Sequence, residues 1–153
     1  MVALSRPSLL AGEAANDALR AHHAPPGKMG DADLVMAFGG QALCWWRVLA
    51  PEAELLWLHV HEELRAKGLA GRLLIASLEH LKAEHAVEKY MLEVSVNNIQ
   101  AFNLYKKTGF EVVGLRKKYY KDKITGNTSD AYVMSCRNPT FLYSPSAKEP
   151  AFD

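Results

Sequence analysis

Three side chains in one short stretch have types and spacing suited to moving protons. Glu93 sits in an apolar run from Tyr90 to Val96. Asn98 and Tyr105 follow, seven residues apart, so on a helix they share one face two turns from each other. A carboxylate, an amide and a phenol then meet at one strand-to-helix junction. A carboxylate of raised pKa can take a proton directly or through a water. A tyrosine, with a pKa of about 10, is neutral at pH 7 and can donate a proton. In open α/β sheets, ligands bind outside the carboxyl ends of the strands, where this junction falls. Taken singly, each residue has a plainer use: Tyr105 as a core aromatic with a wet hydroxyl, Glu93 as a solvated strand residue, Asn98 as a helix cap. Their spacing, behind a second motif, favours chemistry.

That motif is Arg65-x-x-Gly68-x-Ala70-Gly71. It follows the apolar run Leu55 to Val60 and precedes a helix-period stripe, Leu74, Leu78 and Leu81. A strand, a small-residue turn and a helix leave the first backbone N–H groups of the helix free and pointing one way. The helix dipole adds roughly +0.5 charge there, which suits a phosphate or pyrophosphate. Gly68, Ala70 and Gly71 let an anion approach the backbone, and Arg65, Lys67 and Arg72 surround it with positive charge. Alone the turn is weak evidence, since a tight strand-to-helix turn needs small residues anyway. It is neither a Walker A loop nor Gly-x-Gly-x-x-Gly.

The elements that must position these residues are read from period and punctuation. Residues 2–6 suit a first strand. Leu9 to His22 reads as an alanine-rich helix with Ser8 as N-cap, stopped by Ala24-Pro25-Pro26-Gly27. Leu34 to Phe38 and Gln41 to Leu49 read as a hairpin about a two-residue turn, Gly39-Gly40. Next come a strand at 54–60, the glycine turn, a helix to about His85 and a strand at Tyr90–Val96. A helix then runs from about Asn98 to Lys107, ended by Gly109. Asn97 or Asn98 caps it, with Gln100 placed as in a capping box on Asn97. Long strands at Phe110–Lys121 and Asp130–Cys136 close the chain, and the tail from Asn138, with Pro139, Pro145 and Pro150, reads as irregular.

With 153 residues the chain is expected to form one domain with a proper core. Apolar residues make up 49% and charged residues 23%, which is ordinary for a globular protein. A net charge of +1 argues against a nucleic-acid partner. No apolar run approaches a membrane span, and the N-terminus lacks the pattern of a signal peptide, so a cytoplasmic protein with no membrane partner is expected. Cys44 and Cys136 read as buried thiols, neither disulfide-bonded nor nucleophilic.

The glycine turn and the block Leu92-Glu93-Val94 … Asn98 … Leu104-Tyr105 … Gly109-Phe110 resemble the GNAT acyltransferases. The likeness is strongest to the ribosomal-protein-alanine and protein N-terminal acetyltransferases, and it covers roughly residues 54–136. A strand with a double tyrosine, here Tyr119-Tyr120, belongs to that pattern. The resemblance implies a mixed, mainly antiparallel sheet flanked by helices, an α+β fold. It implies acetyl-CoA as cofactor, with the pyrophosphate on the turn of Arg65, Ala66, Lys67, Gly68, Leu69, Ala70 and Gly71. Backbone of Leu58, His59 and Val60 pairs with the pantetheine and polarises the thioester carbonyl. Asn98 contacts the cofactor, Tyr105 donates to the leaving thiolate, Glu93 is the base, and Tyr119 and Tyr120 hold the acceptor peptide. The implied acceptor is a protein or peptide α-amine, with a ribosomal protein as one candidate, and a monomer or homodimer is expected. A small-molecule amine as acceptor, and a domain that binds acyl-CoA without turnover, are the alternatives.

Two departures from the family pattern are the histidine pair and the short stretch at about residues 24–33, in a region that commonly shapes the acceptor pocket. His59 and His61 lie on one face of a regular strand and offer an alternative base, but two histidines without a third ligand make no metal site, and none is expected. The run Arg116-Lys117-Lys118-Tyr119-Tyr120-Lys121 mixes basic and aromatic residues, and is read as peptide contact or a solvated strand face.

Overall fold

A computed structural model describes residues 6–25, 29–65 and 67–139. The elements are β1 (Ser8–Leu10), α1 (Gly12–Ala21), β2 (Asp33–Phe38), β3 (Ala42–Leu49), β4 (Glu52–Val60), α2 (Leu69–His85), β5 (Lys89–Ser95), α3 (Ile99–Thr108), β6 (Glu111–Lys121) and β7 (Thr128–Cys136). A short 3-10 turn, Glu62–Leu64, separates β4 from α2. From α1 onward the order matches the expected one. Among the described residues the strands form one seven-stranded sheet in the order β1-β2-β3-β4-β5-β7-β6. Every neighbouring pair is antiparallel except β4 with β5.

Strand alternation divides the apolar residues between two faces. Leu34, Met36, Phe38, Cys44 and Trp46 point to a core shared with α2 and α3, where Leu74, Leu78, Leu81 and Tyr105 meet them. Val35, Ala37, Leu43 and Trp45 point to the other face, under Ala15 and Leu19 of α1. Burial on both faces explains why β2 reads as an unbroken apolar run. Each fully buried Val, Leu, Met or Phe among them contributes about 1.5–3 kcal/mol relative to leaving it in water.

Local details differ from the sequence reading. Ser8, Leu9 and Leu10 form a strand, not the start of a helix, because they pair with Ala37, Met36 and Val35 on the edge of β2. That ladder outweighs helical propensity, and α1 starts at Gly12 after an extended Ala11 with no side-chain cap. Of the strand expected at 2–6, residues 2–5 lie outside the described residues. The β2–β3 loop holds three residues, since Phe38 pairs with Ala42 and the Gln41 N–H donates to the Phe38 carbonyl. Asn98 caps α3, its Oδ1 accepting from the Ala101 N–H at 3.2 Å, so Gln100 is one position too early for a capping box. Most of the proline-containing tail, residues 140–153, also lies outside the described residues. Both cysteines are buried and free, and burial pushes the Cys44 thiol up to about 12.

Candidate active site

The parallel pair β4–β5 is held only from Glu52–Lys89 to Leu55–Leu92. Beyond it the strands part. A β-bulge marks the place: Trp46 faces Leu55 and Trp45 faces Trp57, leaving Leu56 as the extra residue. From there β4 continues to pair with β3 through Val60, while its other edge borders a cavity of about 810 Å³. Leu58, His59, Val60, Arg65, Gly68, Leu69, Ala70, Glu93, Asn98, Tyr105, Tyr119 and Tyr120 all line it. Lys67 is exposed and Gly71 buried in the same turn, neither on the lining, and Ala66 lies outside the described residues.

The turn has the geometry its residues allow. Gly68 adopts φ 77°, a left-handed conformation that favours glycine. α2 starts at the next residue, and the Arg72 N–H donates to the Gly68 carbonyl at 3.1 Å. The N–H groups of Leu69, Ala70 and Gly71 therefore precede the first helical hydrogen bond. Arg65 turns back instead of outward: its Nε donates to the Val60 carbonyl at 3.1 Å, fastening the turn to the end of β4.

Tyr105 projects from α3 into the cavity wall, only 7% exposed, with its ring edge-on to Phe110. Among the described residues no group accepts from its hydroxyl. Burial, then the neighbouring Tyr120 and Cys44, raises this phenol well above its ordinary 10, so it stays protonated at neutral pH.

Glu93 leans the other way. Tyr90, Leu92 and Val94 face the α2–α3 core, so Glu93 faces the α1 side of the sheet. Arg116 on β6 reaches across β7 and pairs with its carboxylate at 3.3 Å. The Arg116 guanidinium also stacks over the Tyr119 ring, 4.7 Å from its centroid. The Tyr120 hydroxyl donates to the Glu93 backbone carbonyl at 3.3 Å. Burial, then the Glu93 charge, raises the Tyr119 phenol, and burial with Tyr119 and Glu93 pushes Tyr120 up to about 12.

Adjacent strand residues ordinarily point to opposite faces, yet Tyr119 and Tyr120 both line the cavity, their rings 4.9 Å apart. A bulge accounts for this. Arg116 pairs with Ala131 and Tyr120 with Ser129, so Lys117, Lys118 and Tyr119 stand against Asp130 alone. Lys118 takes φ 55°, and its N–H donates to Asp130 Oδ1 at 2.9 Å.

The two strand-end histidines do not stand alone. His22, at the end of α1, is 1% exposed and lies between them. Its Nδ1 is 2.9 Å from His59 Nδ1, and its ring stacks on His61 with centroids 4.6 Å apart. Burial, then the neighbouring His61, His59 and His23, holds His22 down to about 4. Burial, then Arg65, lowers His59 as well.

The chain matches the profile of the acetyltransferase (GNAT) family over residues 27–110, more than half of its length. It belongs to the GNAT family. It is 33% identical over 108 residues to the [ribosomal protein bS18]-alanine N-acetyltransferase of Haemophilus ducreyi, covering 71% of this chain and 70% of that protein. It is 38% identical over 87 residues to the N-alpha-acetyltransferase of Saccharolobus solfataricus, covering 57% of this chain and 49% of that protein. The chain thus spans about half the length of the archaeal relatives it matches. The crystal structure of the ribosomal-protein-S18-alanine N-acetyltransferase from Escherichia coli superposes with a TM-score of 0.69 at 23% identity, covering 94% of this chain and all of that one, which shows a shared fold.

Two partners escaped the sequence reading. Arg116 lies inside the basic run, but nothing in that run marks it as the residue opposite Glu93. His22 is 37 residues from His59 in sequence, and only the packing of α1 on β4 joins them.

Proposed function

We propose that this chain transfers an acetyl group from acetyl-CoA directly to a primary amine, with a protein or peptide N-terminal α-amine as acceptor. One observation carries the reading: where β4 parts from β5, a single cavity meets a strand edge, a glycine turn at a helix N-terminus, a carboxylate and an unpartnered phenol. The donor set fits coenzyme A. A pantetheine arm carries amides that can hydrogen-bond to a strand edge, and a pyrophosphate suits a left-handed glycine followed by free helical N–H groups. When bound, acetyl-CoA supplies an activated acyl group on a good leaving thiol.

The chain's residues then have distinct tasks. Backbone of Leu58 to Val60 orients the arm. Gly68 to Gly71 bind the pyrophosphate, and Asn98, at the cap of α3, lies at the cavity wall beside the arm. Glu93 takes the proton that the ammonium must lose. Tyr105 supports the departing sulfur. A free thiol has a pKa of about 8.5, below that of the buried phenol. Tyr105 therefore acts mainly by donating a hydrogen bond to developing thiolate charge, a preorganised donor in a dry site. Tyr119 and Tyr120 hold the acceptor on the Glu93 side of the sheet. The protein acceptor is supported by the names of the sequence relatives, three of which are named for a ribosomal-protein alanine.

The test is thiol release from acetyl-CoA with a panel of acceptors. Peptides with a free N-terminal amine, including an alanine N-terminus, should be acetylated, and the same peptides with a blocked N-terminus should be inert. Turnover with polyamines or aminoglycosides alone would reassign the acceptor. Coenzyme A binding with no thiol release for any amine would reduce the domain to an acyl-CoA binder.

A further inference from the structure

We propose that His22, His59 and His61 form a binding site for a divalent transition-metal cation, of which Zn²⁺ is the best match. The ligating nitrogens of the three imidazoles all lie within 4.8 Å of one another. Four-coordinate zinc with nitrogens at about 2.0–2.1 Å holds them about 3.3 Å apart, so small rotations about the side-chain bonds close the set. One pair, His22 Nδ1 and His59 Nδ1, is already at 2.9 Å. One of those two nitrogens carries a proton in that contact. The same imidazole can carry it on Nε2 instead, leaving both Nδ1 lone pairs for a cation.

The donors come from separate parts of the chain, as in a built site. His22 follows α1, His59 lies in β4, and His61 follows the strand's last residue. His59 and His61 both turn to the face where His22 lies, their ring centroids 5.1 Å and 4.6 Å from its own. α1 packs on that face through Ala15 and Leu19. The Trp57 indole N–H donates to the His22 carbonyl at 2.9 Å, and the His22 N–H donates to the Ala18 carbonyl at 3.0 Å, so the backbone of the central ligand is held on both sides.

A hydrogen bond between two histidines needs no third imidazole stacked against it. Nor does the cluster resemble a proton relay, since among the described residues no carboxylate belongs to it. Neutral nitrogen donors without carboxylate oxygens disfavour Mg²⁺ and Ca²⁺ and suit Zn²⁺, Co²⁺ or Ni²⁺. Three protein ligands leave a fourth position for water. The His23 ring, 5.9 Å from that of His59, stands just outside the set. Bound there, the cation ties the end of α1 to the end of β4 at the rim of the cavity, which His59 also lines. Neither the proton transfers nor the pyrophosphate turn requires it.

The experiment titrates the full chain, freed of metal by a chelator, with Zn²⁺ by calorimetry and with Co²⁺ by visible absorption. We expect one equivalent to bind, a rise in melting temperature with Zn²⁺, and the intense visible bands of cobalt in a tetrahedral site. His61→Ala should weaken binding by at least about 10–100-fold, the cost of losing even an outer-sphere partner. His61 lies outside the strand, so this variant should fold. His22→Gln should do the same, with circular dichroism reporting its fold. A His80→Gln/His85→Gln variant removes a second pair of neighbouring imidazoles, 5.4 Å apart on α2, and should bind as the parent does. Equal binding by parent and His61→Ala would overturn the site. So would loss of binding in the α2 variant, which would place the metal on surface histidines.

Discussion

Glu93 and Tyr105 approach one gap from opposite faces of the sheet. Tyr105 belongs to the core under α2 and α3, and Glu93 points to the α1 side, paired with Arg116. Both line the same cavity only because β4 and β5 separate after Leu55 and Leu92. In a continuous sheet a carboxylate and a phenol so placed would never see the same substrate.

Removing only the Tyr105 hydroxyl tests its side of the gap. Tyr105→Phe keeps the ring packed on Phe110 and should lower turnover by about 10²–10³-fold, the range for loss of one preorganised donor. Coenzyme A affinity should change little. Parent-like turnover, with chemistry rate-limiting, would make Tyr105 a packing residue.

Gly68→Glu tests the turn. A side chain at φ 77° is strained, and a carboxylate there repels phosphate. Coenzyme A should raise the melting temperature of the parent by mass action and leave that of the variant unmoved. A folded variant with the parent's shift would take the turn out of the site.

Arg116 is expected to position Glu93. Arg116→Ala frees the carboxylate from its 3.3 Å partner and should lower turnover by about 10–100-fold, as small misplacements of catalytic groups do. Coenzyme A binding should hold, and Arg116→Lys should restore part of the loss. Parent-like kinetics in the alanine variant would show that Glu93 holds its place unaided.

Both tyrosines of β6 should matter to the acceptor. A regular strand would expose one and hide the other, but the bulge at Lys118 brings both to the cavity. Tyr119→Phe and Tyr120→Phe should each raise the peptide KM without changing coenzyme A affinity. An effect confined to one of them would mean that the other only packs.

His22 sets a pH dependence of stability. It is held down to about 4 from an ordinary 6.5. Between those values the unfolded chain binds a proton that the folded chain refuses, so stability is full above about 6.5 and falls as pH drops toward 4. His23, His59, His61 and Arg65 crowd the cluster and act in the same direction. Melting temperatures measured across this range with a chelator present should decline toward acid, and His22→Gln should flatten the decline. An identical slope in the variant would assign it elsewhere.

Elements with strong period were legible in the chain. Leu74, Leu78 and Leu81 marked α2, and the glycines at 68 and 109 bounded helices as read. Junctions where tertiary pairing decides were not. Ser8 looked like a cap because it is a good one, yet the open edge of β2 recruited it into a strand. Bulges escaped for a related reason. An extra residue such as Leu56 is defined by the partner strand, and nothing in its own neighbours announces it. The same holds for Arg116 opposite Glu93 and for His22 beside His59: long-range contacts leave no local signature.

The distortions of β6 also bear on what the protein avoids. β6 ends the sheet and carries exposed Val112, Val113 and Leu115, so a flat strand there would invite another chain to add to it. It is interrupted twice, at Val113 and across Lys117 to Tyr119, and the second break carries two lysines. At the opposite margin β1 is only three residues long. Among the described residues a neighbouring molecule therefore finds no long straight ladder at either margin, and edge-to-edge aggregation should be resisted even at high concentration. Straightening β6 by deleting Lys117 and Lys118 from the 117–119 bulge should both misdirect the tyrosines and make the protein prone to associate.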